Sequence, residues 1–487
     1  MKKKVVIGLS GGVDSSVAAW ILKEQGYEVI GLFMRNWNDS TGVLEADCTY
    51  EDDVMFAEMV AARIGIPFHV VDLSEPYRKR VVDYMFSEYK AGRTPNPDIL
   101  CNREIKFDSF VTEAHKIGGE LVATGHYCRK ELLSESQSKE YGPGDNRKES
   151  VDGRTGKKPA ETASEGNTDE VSNTAKAEKA AGKGADRRIT YSDSAPDIGA
   201  VNKTVDTGNA ADTNANLRET TDYSGKMMYR LLAGNDSSKD QSYFLCQITQ
   251  DQLAGAMFPI GNMTKQEVRK LASDLNLPTA ARKDSQGICF IGKVDLPTFL
   301  QQKLKPRTGR TVLIPATAEF PVFPDGLPPD EAEAESLDAM ISPYSFNPSG
   351  GPTIGKHDGA HYFTVGQRKG INIGGYKKPL FVLATDSEKN ILYVGEGQDH
   401  HGLHRKGLLV KDEDIHWIRP DMHMAKGENR VYNVRIRYRQ PLEKAKLFRR
   451  EKGMYIIFER LQRGIAPGQF AAWYSGDELL GSGVISY

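Results

Sequence analysis

The chain has 487 residues, long enough for roughly two to four domains of ordinary size, and its 64 Lys and Arg nearly balance 66 Asp and Glu for a net charge of -2. That balance excludes a globally basic nucleic-acid binder, so any basic surface has to be local. The five cysteines, Cys48, Cys101, Cys128, Cys246 and Cys289, are odd in number, widely spaced and without a Cys-x-x-Cys pair, which excludes a secreted disulfide framework and argues against structural zinc or an iron–sulfur cluster.

The start, Met-Lys-Lys-Lys, leads into an apolar run too brief for a secretion signal, and no stretch of ~18 apolar residues follows. A soluble cytoplasmic protein without a membrane anchor is the expectation. Val5-Val6-Ile7 reads as a strand, and Val17, Ala18, Ile21 and Leu22 fall at helical spacing. Between them lies Gly8-Leu9-Ser10-Gly11-Gly12-Val13-Asp14-Ser15-Ser16. Gly11 and Gly12 let backbone N–H groups crowd an anion, and the serines sit where a helix begins, so its free N–H groups and positive dipole end point at the same spot. The stretch reads as a phosphate cradle rather than an ordinary strand–helix turn. No Gly-Lys-Ser/Thr follows, so it is not the common P-loop. Neutralisation falls to backbone N–H groups and a metal ion, with Asp14 a candidate to help hold it.

Further strands are expected over 28–34, 68–73 and 120–124, and helices over 53–64 (with Val54, Met55, Met59 and Val60 apolar), 81–90 and 103–117. The alternation implies a parallel sheet with right-handed crossovers, with ligands bound beyond the C-terminal strand ends. Ser10–Ser16, Met34 and Gly125-His126 fall at such ends and are expected to share one crevice. Residues 134–225 lack Phe, Trp, Met and Cys and are rich in small polar and charged residues, which predicts a disordered insertion. A helix is expected over 265–275, and 315–352 is Pro-rich and acidic, read as a second insertion or long surface loop. Beyond Tyr362, short β signals recur at 381–385, 391–394, 432–439, 454–460 and 470–474, the pattern of small β-barrels. The expected domains are 1–133 with 226–248, 249–361 and 362–487.

Two cysteines stand out by context. Cys101 ends the proline-stiffened loop Thr94-Pro95-Asn96-Pro97-Asp98-Ile99-Leu100, just before a helical pattern at Asn102 or Arg103. A thiol at a helix N-terminus beside Arg103 and Lys106 has a lowered pKa. Cys289 lies in a loop with Lys283 and Gly287, which also favour a thiolate. Burial as small hydrophobes is the alternative for both, and packing is favoured for Cys128 and Cys246. Val434-Arg435-Ile436-Arg437-Tyr438-Arg439 alternates apolar and basic residues, a strand face suited to phosphate contact and base stacking, or simply a solvated strand. His400, His401 and His404 have metal-ligand density but no companion carboxylate or cysteine signature, so a surface turn is expected and no metal-ligating residues are assigned.

The loop Ser10-Gly11-Gly12-Val13-Asp14-Ser15 resembles that of the ATP pyrophosphatases. Added to it are Gly92-Arg93-Thr94-Pro95-Asn96-Pro97-Asp98-Ile99-Leu100-Cys101-Asn102, Ala123-Thr124-Gly125-His126-Tyr127, Lys239-Asp240-Gln241-Ser242-Tyr243-Phe244, Lys283-Asp284-Ser285-Gln286-Gly287-Ile288-Cys289-Phe290-Ile291-Gly292 and Gly366-Gln367-Arg368-Lys369-Gly370. Together they resemble the tRNA-specific 2-thiouridylases over the whole chain except the two insertions. The resemblance implies an α/β N-terminal domain (parallel sheet, adenine nucleotide α-hydrolase-like), a small central domain and a C-terminal β-barrel. It implies ATP- and Mg2+-dependent thiolation of the wobble uridine of tRNAs for Lys, Glu and Gln, with sulfur from a persulfide-delivering carrier protein to an enzyme acting as a monomer. By the same resemblance Gly8, Leu9, Ser10, Gly11, Gly12, Val13, Asp14, Ser15, Met34 and Gly125 hold ATP. Asn96, Pro97 and Asp98 meet the flipped base, and His126, Lys239, Asp240, Gln241, Arg437, Tyr438 and Gln469 contact tRNA. Cys101 is the nucleophile and Cys289 carries the persulfide. Another pyrophosphatase-loop tRNA-modifying enzyme, or a catalytically silent tRNA-binding protein, is the alternative.

Overall fold

Val5, Val6 and Ile7 are completely buried because their strand, β1 (Lys4–Gly8), is the middle member of a five-stranded parallel sheet. The computed structural model describes residues 2–37, 50–133, 227–284 and 295–486. β2 (Glu28–Arg35) and the edge strand β3 (Phe68–Asp72) lie on one side of β1; β4 (Leu121–Ala123) and the short strand Ala256–Met257 lie on the other. All four pairings are parallel, with Val6 opposite both Ile30 and Val122. A strand covered on both faces reads as a continuous apolar run, as Val5-Val6-Ile7 does.

Helices cover both faces. α1 (Val13–Glu24), α2 (Tyr50–Ile64) and the helix Lys265–Asp274 bury Val17, Ala18, Val60, Ala61, Val268 and Ala272 against Val5, Ile7 and Phe33. The core face of α2 is Ala57, Val60, Ala61 and Ile64, at helical spacing; Met55 and Met59, expected on it, face solvent. On the opposite face Val6, Ile30, Leu32 and Met34 pack with Tyr77, Val81, Ile99, Cys101, Ile105 and Phe110. Most of these come from a helical run made of Pro97–Leu100, Cys101–Ser109 and Phe110–Lys116. Its middle part is wound wider, i to i+5, and Phe107 breaks it at φ -109, ψ 15; such bulges interrupt the regular ladder locally.

A four-stranded sheet runs in the order Leu380–Asp386, Ile391–Glu396, Gly309–Leu313, Thr353–His357. A second β unit has the order His404–Trp417, Gly453–Arg463, Glu443–Arg450, Asn429–Arg435, Phe470–Ser475, Glu478–Ser486, and pairing of the last with the first closes a six-stranded barrel.

These pairings redraw the expected boundaries. Cys128–Leu132 and Tyr229–Ala233, assigned above to the α/β domain, form an antiparallel pair that extends the barrel sheet through Leu232 opposite Glu478. Residues 249–284, assigned to the central domain, belong to the α/β domain instead, because Ala256–Met257 pairs with β4 and the helix Lys265–Asp274 packs on α1. Residues 362–396 lie with the four-stranded sheet rather than the barrel. The Pro-rich segment 315–352 contains a helix, Ala334–Ile341, whose Leu337 and Ile341 pack on Leu409, Phe448 and Tyr455 of the barrel. The buried Lys406 ammonium fixes the same segment, donating to the carbonyl oxygens of Pro324 and Gly326 at 2.7 and 2.9 Å. The expected insertion 134–225, Cys48 and Cys289 lie outside the described residues.

Candidate active site

The stretch after β1 is the turn its composition predicts. Gly11 has φ +70, and a Cβ there would lie 2.4 Å from the Asp53 carbonyl oxygen, so glycine is required. Gly12 is the N-cap of α1 and has no side chain to cap the first-turn N–H groups, which leaves those donors to an anion. Ser15 Oγ accepts from the Ser10 N–H at 3.2 Å, and the Ser16 hydroxyl donates to the Gly12 carbonyl at 2.8 Å. Gly125, just beyond β4, meets the loop directly: a Cβ on it would sit 2.8 Å from Ser15 N. Gly8 lies between the ends of Met34 and Phe110, 3.7 and 3.6 Å from where its Cβ would be. The loop, Met34 and Gly125 thus converge at the C-terminal end of β1, as strand order requires.

The loop has no lysine of its own, but one reaches it from far along the chain. Lys265 Nζ lies 2.7 and 2.9 Å from the two carboxylate oxygens of Asp14, and the Tyr127 hydroxyl donates to Asp14 Oδ1 at 2.7 Å. Burial, and then the Asp14 charge beside it, push the Tyr127 phenol up, so it stays a donor. The same Lys265 ammonium lies 2.8 Å from Asp284, which Lys239 (3.0 Å) and Arg269 (2.6 Å) also contact. Burial opposes ionisation of Asp284, but the Lys265 and Lys239 ammonium groups outweigh it and hold its pKa at about 2. Arg282 donates to the Gly11 carbonyl at 2.7 Å and pairs with Asp53 at 2.8 Å. The expectation that N–H groups and a metal ion alone neutralise the cradle is corrected by these cations. Lys265 was invisible as a partner because 251 residues separate it from Asp14.

Cys101 is completely buried, inside a helix rather than at its start. The helix begins four residues earlier: Asn96 is the N-cap, accepting from the Ile99 N–H at 3.3 Å, with Pro97 next. Cys101 therefore lies beyond the first-turn N–H groups, where the helix dipole acts most strongly. The neighbouring Asn102 amide is anchored on the Phe244 carbonyl at 2.9 Å, while its own carbonyl oxygen is buried without a partner.

The other predicted residues divide. His126 is buried, its Nδ1 2.8 Å from the Thr124 hydroxyl and its ring between Phe107 and Phe258. Burial, with Lys106 adding to it, drives its pKa well down, so it is neutral at pH 7. Asp240 is buried and faces Arg435 at 3.1 Å; Gln241 exchanges hydrogen bonds with the Tyr127 backbone at 2.9 and 3.0 Å. Both hold the fold locally. The basic strand face is corrected in part: Arg435 is half-buried, while Arg437 and Arg439 are exposed as expected. The strand ends at Arg435, which turns inward to Asp240 and the Tyr474 ring. Arg437 donates to the carbonyls of Val365 and Gly464 at 3.0 and 2.7 Å, and Tyr438 rests on Phe244 with centroids 4.3 Å apart. Gln469 reaches the Thr94-Pro95 turn just before Asn96. Cys128 and Cys246 are packed as expected, and burial raises both pKa values, that of Cys246 to about 12. His400 is not a surface turn: it is buried, its two ring nitrogens facing the Ile314 carbonyl and the Gly402 N–H.

Fold and site together define a parallel α/β domain with a phosphate-cradling loop at the C-terminal end of its central strand, joined to a closed β-barrel. The family model described as "tRNA methyl transferase HUP domain" matches residues 3–150 and 199–293. Those described as "tRNA methyl transferase PRC-barrel domain" and "Aminomethyltransferase beta-barrel domain" match 345–396 and 405–485. A protein of Christiangramia forsetii named tRNA-specific 2-thiouridylase MnmA is 45% identical over 484 residues, spanning 99% of this chain and 100% of its own. Its namesakes in Flavobacterium johnsoniae (44%, spanning 99% and 100%) and Shouchella clausii (35%, spanning 100% and 98%) match as completely. The chain belongs to the tRNA-specific 2-thiouridylase family.

Proposed function

We propose that this chain replaces the C2 oxygen of a tRNA wobble uridine with sulfur at the expense of ATP, and that tRNAs for Lys, Glu and Gln are its substrates. One observation carries the reading. The helical run bearing Cys101 packs through Phe110 against Gly8, where the phosphate loop begins. The phosphate loop and the run that carries the buried Cys101 thiol therefore pack on one core, which also holds Met34 and Phe110.

The uracil C2 oxygen is a poor leaving group. In this reading it attacks the α-phosphorus of ATP, the α–β anhydride breaks, pyrophosphate departs and the oxygen becomes part of an adenylate. Gly8 to Ser15, Met34 and Gly125 hold the nucleotide, the backbone N–H groups taking the phosphate charge. Asn96, Pro97 and Asp98 receive the flipped base. Lys239, Arg437, Tyr438 and Gln469 lie on the tRNA side, with His126 contributing as a neutral imidazole. The terminal sulfur of a Cys289 persulfide then forms the C2–S bond and AMP leaves. Attack of the Cys101 thiolate on the Cys289 sulfur frees the thiocarbonyl, or frees sulfide beforehand, and leaves a Cys101–Cys289 disulfide. A thiol reductant restores the pair, and a persulfide-bearing carrier protein reloads Cys289. The enzyme works as a monomer in the cytoplasm, where tRNA is modified.

Mg2+, if bound with ATP, would supply charge neutralisation at the phosphates. Asp14, the carboxylate nearest the loop by sequence, already has both oxygens on Lys265 and one on Tyr127, so these residues do not form a ready Mg2+ site. The test is tRNA-dependent release of pyrophosphate and AMP. The reading predicts that neither forms without a substrate tRNA, and tRNA-independent turnover at the same rate would contradict it.

A further inference from the structure

Cys101 is completely buried, and a thiol in that state meets no substrate. Its neighbour holds the turn that carries it. Asn102 is only 2% exposed, and its side-chain amide donates to the Phe244 carbonyl at 2.9 Å. The Asn102 carbonyl oxygen is buried without a hydrogen-bond partner, a cost that a residue serving packing alone would not carry. Phe244 in turn lies against Tyr438, with ring centroids 4.3 Å apart. Between the two contacts the chain is pinned to the barrel, because the Tyr243 hydroxyl donates to the carbonyls of Phe470 and Ile436 at 3.0 and 3.3 Å. A short line of contacts thus runs from Tyr438 through Phe244 to the residue after Cys101. The run at its end is one that can rewind: Cys101–Ser109 is wound i to i+5 and breaks at Phe107. Arg103, one residue on, is tied separately to Gln247 at 2.9 Å, so the run stays docked when the Asn102 bond is cut.

We propose that Asn102 is a positioning residue for Cys101, and that Asn102 and Phe244 couple burial of the thiol to the state of Tyr438. The proposal rests on the thiolation reading above, in which Tyr438 lies on the tRNA side. Phe244 covers part of the Tyr438 ring. A tRNA base that stacks there competes with Phe244, so tRNA binds more tightly to the state in which Phe244 has withdrawn. Withdrawal takes the Phe244 carbonyl away from Asn102. The wide-wound turn then opens and exposes Cys101. In the free protein the bond stays made, and the thiol is shielded until tRNA is seated.

The experiment measures the rate at which iodoacetamide labels Cys101 in the full-length chain, by peptide mass spectrometry. ATP is present throughout, a lysine tRNA is present or absent, and tRNA binding is followed by filter retention. A buried thiol is labelled from its open state, so the rate reports how often the turn opens. Wild type is slow alone and on the order of tenfold faster with tRNA. Asn102→Leu keeps the shape and removes the donor. It is on the order of tenfold faster than wild type without tRNA, the scale of one lost buried hydrogen bond, and tRNA adds little. Phe244→Leu keeps the backbone carbonyl, so its labelling without tRNA stays slow, but bound tRNA no longer accelerates it. Cys128 and Cys246 stay slow throughout. Slow labelling of Asn102→Leu without tRNA, or full acceleration by tRNA in Phe244→Leu, overturns the proposal. So does faster labelling of Cys128 and Cys246 together with Cys101, which marks a merely structural role. If Asn102→Leu does not fold, Phe244→Leu decides alone. A wild-type chain that shows the tRNA-dependent labelling yet makes no 2-thiouridine overturns the function and not the coupling, so the two failures are distinguishable.

Discussion

The side-chain amide of Gln469 donates to the carbonyl oxygens of Thr94 and Pro95, at 2.9 and 3.0 Å. Gln469 stands next to the barrel strand Phe470–Ser475, and Thr94-Pro95 leads directly into Asn96, the N-cap of the helix bearing Cys101. The Thr94 N–H completes the clamp on the Pro467 carbonyl at 2.8 Å. The barrel thus fixes the turn proposed to receive the target base.

Gln469→Ala removes both donors while the fold keeps the Thr94–Pro467 bond. Two lost hydrogen bonds correspond to about 1–3 kcal/mol. The expected result is a KM for tRNA raised about tenfold with the KM for ATP unchanged, read by steady-state thiolation. An equal rise in both constants would place the role elsewhere.

Gly125→Ala puts a methyl group 2.8 Å from Ser15 N and 3.0 Å from Asp14 C, both backbone atoms that cannot swing aside. The phosphate loop has to shift. The KM for ATP is expected to rise by more than about tenfold with tRNA affinity preserved in a filter-binding assay; an unchanged KM would remove Gly125 from the nucleotide site.

How far the chain could be read without coordinates depended on the range of each interaction. Val5-Val6-Ile7, the glycine turn and the first helix were legible because local periodicity and backbone freedom determine them. The start of the Cys101 helix was signalled by Asn96 at the N-cap and Pro97 behind it, but two prolines in seven residues read as a stiff loop. Arg435 looked like part of a solvent face because alternation says which residues share a side, not what lies opposite. Asp240 lies there, while Arg437 is exposed as the alternation predicts. Lys265 opens a helix and resembled any solvated lysine; only the tertiary fold brings it to Asp14.

Cys128 and Cys246 are thiols whose pKa values burial raises, that of Cys246 to about 12. A raised thiol pKa means less thiolate at every pH below it. Neither should react with iodoacetamide in the native protein at pH 8, as followed by peptide mass spectrometry. Cys101 is equally inaccessible in the structure, so its labelling should accelerate when tRNA and ATP are added. Rapid labelling of Cys246 in the native state would contradict the packing.

Asp284 has a depressed folded pKa of about 2. Its ion pairs therefore contribute stability above its unfolded value, about 3.9, and lose it as pH falls toward about 2. Asp284→Asn should be destabilised at neutral pH and show a flatter loss of melting temperature between about pH 4 and 2 than wild type. Parallel acid limbs would contradict the assignment.

Mass spectrometry of nucleosides from a lysine tRNA, after incubation with the chain, ATP and a persulfide donor, tests the central claim most directly. The account predicts 2-thiouridine at the wobble position with wild type, and none when ATP is omitted or when Cys101 or Cys289 is replaced by serine, although both variants still bind tRNA. Thiouridine formed by either serine variant, or formed without ATP, would contradict it.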